Sequence, residues 1–260
     1  PELVAYVQEK LRERWSPEQI AGRLRLQAAC LNLPLISFKT IYRWIQKDSD
    51  SSKVRPFKGY GKYLRLKRPG KVFSRRTKSA VRYLPDLPDI DDRPGANIYG
   101  HWECDLVLGH KTKDDDVLLT MCERKTRQFF MIKIEDKTSA SVMKAFDKLR
   151  EYYGSKWNQI FKSITTGNGS EFADLSDLEQ VSKTLVYYAH PYTSCDKGSV
   201  ERHNGLIRRY IPKGDRMDKY SVEDIAKIEV WCNSLPRKIL NYKTPEEYFD
   251  TELDRIYRRR

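Results

Sequence analysis

The chain has 260 residues, with 49 Lys and Arg against 36 Asp and Glu, and a formal net charge of +13. This length is enough for one medium domain plus a smaller one, and the charge points to a polyanionic partner, most simply nucleic acid. Five scattered cysteines (Cys30, Cys104, Cys122, Cys195, Cys232) form no CxxC pair, which argues for reduced thiols in a cytosolic compartment. No apolar run approaches the ~20 residues of a membrane span, and no signal-peptide pattern is present. The sequence opens at Pro1, which suits a processed or truncated form.

Residues 1–50 read as three short helices. Leu3, Val4, Val7 and Leu11 repeat at helical spacing. Ser16, Pro17 and Gln19 then form an N-cap signature with proline at the first helical position. After a break at NLPL, Ser37 caps SFKTIYRWIQK, whose Ile41, Trp44 and Ile45 are apolar. A capped, basic last helix is the helix-turn-helix pattern. Phe38, Lys39, Thr40 and Arg43 lie off the apolar stripe, free to face a major groove. The bland alternative is a small bundle whose basic residues are only solvated.

Residues 51–95 read as a basic linker rich in turn residues. Lys62, Arg65, Lys67 and Arg68 are its first candidate DNA contacts, followed by Lys71, Arg75 and Arg76. Phe57, Tyr60, Tyr63 and Phe73 are interleaved among them, which suits a segment tracking a phosphate backbone. A merely disordered linker would have much the same composition.

Residues 96–260 read as a mixed α/β domain. His101–Gly109, Asp116–Arg124 and Arg127–Glu135 are three successive strand-like runs, expected to form an antiparallel meander. Thr138 caps an amphipathic helix that ends before Gly154. Next come the strand IFKSITT, the polar helix-like EFADLSDLEQVSK and the strand TLVYYAH. Two helices, SVERHNGLIRRY and SVEDIAKIEVWCNSL, close the expected order.

Two acids carry the chemistry. Asp105 interrupts an apolar strand, where a charge is costly unless it is paired or binds metal. Alternation puts Glu103 and Asp105 on one face and Trp102, Cys104 and Leu106 on the other. Asp105 is therefore a metal ligand or a strand-face acid paired with Lys or Arg. Glu201, Asn204, Gly205 and Arg208 share one helical face, offering an acid, an amide, a close approach and a phosphate-reading guanidinium. Arg209 and Lys213 are further candidate DNA contacts beyond it. His101 and Cys104 fall on opposite strand faces, which disfavours a zinc site with His110. His203 is expected to touch phosphate or to pack.

HWECDLVLG, TTGNGSEF, ERHNGLIRRYIPKG and NYKTPEEYF, in that order, resemble the DDE transposases of bacterial insertion sequences, specifically the IS-thirty family. The resemblance spans nearly the whole chain. It implies a ribonuclease-H-like catalytic domain (96–260), preceded by an all-α helix-turn-helix domain (1–50) and the basic linker (51–95). It also implies a transposase in the bacterial cytosol that binds terminal inverted repeats and target DNA as a dimer or larger synaptic assembly. Two Mg2+ or Mn2+ ions, held by Asp105 and Glu201 together with a third acid, would support cleavage and strand transfer. That third acid is expected at position 167, with 33 residues between it and Glu201. Here the sequence has Gly167, flanked by Asn168, Glu171 and Asp174, so the resemblance implies an impaired enzyme. Two other functions fit the same residues: a DNA-binding regulator derived from a transposase, and a non-transposing nuclease on this fold.

Overall fold

A computed structural model describes residues 1–49, 55–64, 90–110, 112, 114–190 and 193–258. The chain forms two compact units, Pro1–Ser79 with Leu235–Thr244, and Ala80–Ser234 with Pro245–Arg260. Leu235–Thr244 thus lies with the N-terminal unit, whereas the sequence places it inside the 96–260 domain.

In the first unit α1 (Glu2–Arg12), α2 (Pro17–Leu31) and α3 (Phe38–Ser49) bury Val7, Leu11, Ile20, Leu24, Ile41 and Ile45. Ser16 caps α2 in a full capping box: its hydroxyl accepts from Gln19 N at 3.2 Å, and Gln19 Oε1 accepts from Ser16 N at 2.8 Å. Ser37 Oγ accepts from Thr40 N at 3.1 Å and starts α3 in the same way.

The linker expectation needs correcting over 55–64. Phe57 and Tyr60 are 3% and 9% exposed, so their rings are core residues. Phe57 stacks on Trp44 at 5.3 Å between centroids, and its N–H donates to Asp48 Oδ2 at 2.9 Å. Large aromatics gain more from burial than from exposure beside lysines. Arg65, Lys67, Arg68, Lys71, Phe73, Arg75 and Arg76 lie outside the described residues.

Leu235–Thr244 packs on α2 through a missing side chain. A Cβ on Gly22 would stand 2.1 Å from the Tyr242 ring, so only glycine admits that ring against the helix. Gln19 Nε2 donates to Pro236 O at 2.9 Å, and Arg23 Nη1 to Tyr242 O at 3.3 Å. Asn241 and Tyr242 both have positive φ, 52° and 64°.

The second unit is built on a five-stranded sheet in the order β3-β2-β1-β4-β5. Strands β1 (His101–Leu108), β2 (Val117–Glu123) and β3 (Phe129–Ile134) form the expected antiparallel meander. Beyond them β4 (Ser163–Thr166) and β5 (Leu185–Tyr188) run parallel to β1. A three-stranded meander continued by parallel strands, with helices on both faces, is the ribonuclease-H-like arrangement. The helices of this unit are α4 (Ser139–Tyr153), α5 (Trp157–Ile160), α6 (Asp177–Val181), α7 (Gly198–Ile207), α8 (Val222–Ser234) and α9 (Pro245–Arg258). The expected order of elements lacks α9.

Alternation along β1 sorts its two faces. Trp102 and Cys104 are wholly buried in the core with Val142 and Phe146 of α4, Ile160 of α5 and Phe249 of α9. Trp102 stacks on Phe130 and Phe161 at 4.9 and 4.8 Å. Glu103 and Asp105 take the opposite face, the one α7 covers. Helix α8 closes the β3 edge with side chains in place of a further strand. Asn233 exchanges both amide hydrogen bonds with the Phe129 backbone at 2.9 and 2.8 Å, and Glu229 Oε2 accepts from Met131 N at 2.5 Å.

Candidate active site

Asp105 lies on β1, the central strand, next to the parallel strand β4. The parallel β1–β4 pairing ends at Glu103↔Thr165, with Asp105 two residues further along β1 and position 167 just past the end of β4. The two points share a neighbour, Lys197. Its Nζ donates to Asp105 Oδ1 at 3.0 Å and would stand 3.2 Å from a Cβ on Gly167.

Helix α7 supplies the third edge. Lys197 immediately precedes it, and Glu201, Asn204 and Arg208 follow at helical spacing. Asn204 Nδ2 donates to Asp105 Oδ2 at 3.1 Å, and Arg208 Nη2 to Leu108 O at 2.8 Å. Glu201 is exposed beside them. Partial desolvation of its carboxyl, though the residue as a whole is exposed, and then the Asp105 charge raise its pKa above the ordinary value, with Lys197 opposing and Glu103 adding to the rise.

What fixes α7 against β1 is Glu103, 3% exposed and two residues before Asp105. Its Oε2 accepts from Ser199 N at 2.7 Å and Val200 N at 3.0 Å, so a carboxylate meets the positive end of the helix. Its Oε1 pairs with Arg124 at 3.5 Å and Arg93 at 4.0 Å. Arg93 also donates to Thr165 Oγ1 at 3.2 Å and Asp196 O at 2.7 Å, tying β4 to the segment that leads into α7. Strand β1, the end of β4 and the start of α7 are thereby held together around Asp105.

The sequence expects Asp105, position 167 and Glu201 at one place; Asp105 and position 167 share Lys197 as a neighbour, and Glu201 lies on α7, the helix whose Asn204 bonds Asp105. Asn204 and Arg208 are each bonded to β1 of the protein itself. Asn168 Nδ2 donates to Ala189 O at 2.8 Å, and Glu171 pairs with Lys137 at 3.4 Å, so both are engaged elsewhere. Asp174 is exposed. Among the described residues no group of three His, Cys, Asp or Glu side chains suited to a metal is present. His101, buried, faces Ser163 Oγ at 2.7 Å, and its pKa is lowered to about 4 by burial and then by Lys162, Arg124 and Arg93. His203 packs, stacking on Phe129 at 4.9 Å with Nδ1 toward Ser199 O.

The chain is 36% identical over 245 residues to the transposase for insertion sequence element IS4351 of Bacteroides fragilis, a match covering 92% of this chain and 70% of that one. It is 30% identical over 251 residues to transposase InsI for insertion sequence element IS30A of Escherichia coli, covering 94% and 63%. The chain belongs to the insertion-sequence transposases of the IS-thirty family. Another relative, a probable transposase for insertion-like sequence element IS1161 of Streptococcus salivarius, is 33% identical over 82% of this chain and 58% of its own length. This transposase-family chain thus spans between about three fifths and seven tenths of these relatives. No family model matches it. Among solved structures it aligns with the catalytic core domain of BIV integrase at 16% identity and a TM-score of 0.43, over 60% of this chain and 97% of that one.

Of the other candidate residues in this transposase-family chain, Lys39 and Arg43 are exposed on α3 and Thr40 is half-buried. Lys62 is exposed, with its Nζ 5.1 Å from the centre of the Tyr63 ring. Arg209 lies over the Trp231 ring at 5.3 Å, and Lys213 is exposed. Two positioning residues, Glu103 and Lys197, were not among the sequence candidates. The alternation that singles out Asp105 also marks Glu103, whereas Lys197 carries no local signal. No helix among the described residues is long and apolar enough to cross a membrane.

Proposed function

We propose that this chain binds the terminal inverted repeats of an insertion sequence through α3, and that its ribonuclease-H-like unit is a cleavage and strand-transfer site lacking one acid. One observation carries this reading: Asp105 on β1 and position 167 just past β4, distant in sequence, share the Lys197 ammonium, and α7, which carries Glu201, is bonded to Asp105 through Asn204. As they stand the residues do not fit a pair of divalent cations. Asp105 has both oxygens engaged, by Lys197 and Asn204, and position 167 has no side chain. Glu103 and Arg93 hold the three edges in register, Asn204 orients Asp105, and Lys197 supplies the neighbouring positive charge.

Nothing in the backbone requires glycine at 167, since its φ lies outside the left-handed region. Among the described residues, chain neighbours aside, a Cβ there would meet the tip of Lys197, the end of a flexible side chain that has to give by a few tenths of an ångström. The backbone and the first side-chain carbon thus admit a residue other than glycine, and Gly167→Asp should yield Mg2+-dependent cleavage of DNA carrying the element's end. Joining two ends in one reaction further supports a dimer or larger assembly on two DNA ends.

A second function is favoured by the engaged Asp105 and the bare position 167: a regulator that binds the ends without cutting them. Competition binding at ~0.2 M salt, where non-specific phosphate contacts weaken steeply, separates both from a general nuclease. Selective retention of end DNA over scrambled DNA is expected; equal retention of both rejects end recognition.

A further inference from the structure

We propose that Lys197 is the resident cation of this pocket: its ammonium occupies the place between Asp105 and position 167, and a divalent ion enters only by displacing it. Lys197 Nζ is 3.0 Å from Asp105 Oδ1, and its side chain is 13% exposed against 29% for Asp105, so the pair is largely withdrawn from water. Such a pair is screened less than a surface one and is costly to break without replacement. Among the described residues, the Lys197 tip is also the only group within 4 Å of a Cβ on Gly167, chain neighbours aside.

The backbone on either side of Lys197 is fastened. Asp196 Oδ2 accepts from His190 N at 2.8 Å, Asp196 O from Arg93 at 2.7 Å, and Glu103 holds Ser199 and Val200 just beyond. The residue is thus anchored at its Cα while four methylenes leave the ammonium free to swing out. In the chain as it stands, Lys197 compensates Asp105 without metal. With an acid at 167, the same ammonium would have another carboxylate to hold and would compete with an incoming ion.

This role rests on Asp105, position 167 and Glu201 forming one cation pocket, as proposed above, but it involves no DNA. Calorimetric titration of MnCl2 into the full chain, without DNA, tests it. The unchanged chain should show no saturable Mn2+ binding and Gly167→Asp weak binding. Gly167→Asp with Lys197→Met should bind at least about tenfold more tightly than Gly167→Asp alone, as expected when a positive charge a few ångströms from the ion is removed. Lys197→Arg in the same background keeps the charge and should bring no gain. Lys197→Gln replaces the methionine variant if that one fails to fold, with the same expectation. Equal Mn2+ affinity with and without Lys197 overturns the role, as does saturable binding by the unchanged chain at the affinity of the double variant. Failure of Gly167→Asp to cut DNA, with the affinity gain intact, rejects the enzyme reading and leaves Lys197 in place.

Discussion

Glu103 is buried and does its work through two backbone amides and two guanidiniums, and Asp105, one pleat further on, inherits its position from that anchorage. Removing the carboxylate leaves Arg124 and Arg93 without their buried partner and the first turn of α7 uncapped. Glu103→Ala should therefore cost about 3–5 kcal/mol in urea unfolding. A loss below ~1 kcal/mol, the size of an exposed pair, would show that Glu103 does not hold α7. The acid pattern here is legible in the sequence, since period-two alternation puts Glu103 and Asp105 on one face. Their division of labour is not legible, because the amides that Glu103 caps lie 96 and 97 residues away. Lys197 is hidden for the same reason, 92 residues from Asp105. The missing acid is legible only through the family resemblance.

At the scale of elements, α8 replaces a neighbouring strand along β3, and that substitution brings a pH dependence. Burial lifts the Glu229 carboxyl to about 7 from an ordinary 4.5, with the Met131 N–H pulling the other way. The folded state thus holds the proton through a window in which the unfolded chain has lost it. Stability from this group is fully present below about 4.5 and is lost as pH rises through about 7. Glu229→Gln, which keeps an acceptor for Met131 N, should gain on the order of 2 kcal/mol over the parent between pH 5 and pH 8. Parallel stability curves for the two proteins across that range would place the titration elsewhere.

In the first unit, Gly22→Ala drives a methyl into the Tyr242 ring and should cost about 1–3 kcal/mol. The loss should shrink when Tyr242→Ala is added, a coupling that a double-mutant cycle reads directly. Additive losses would mean the two residues do not meet. The Ser16 and Ser37 caps and the strands of the meander are read from local pattern alone. Helix α9 is equally readable, with Phe249, Leu253 and Ile256 at helical spacing, but the recognised stretch NYKTPEEYF ends within its second turn. The packing of Phe57 and of Leu235–Thr244 is set by distant partners, Trp44 in one case and Gly22 in the other, and no local pattern announces it.

At the scale of the whole molecule, a +13 chain binds polyanions of any sequence unless base contacts select among them. Arg43, exposed on α3, is the clearest candidate for that selection. Arg43→Ala should lower the preference for end over scrambled DNA by about 1–3 kcal/mol while leaving general affinity largely intact. An unchanged ratio would remove Arg43 from base reading.

The most direct measurement is Mg2+-dependent 3′-end cleavage of DNA carrying the element's terminal repeat, by the chain as it stands and by Gly167→Asp. Cleavage by the aspartate form alone is predicted. No cleavage by either form, with selective end binding intact in both, would contradict the claim that this is a transposase site lacking a single acid.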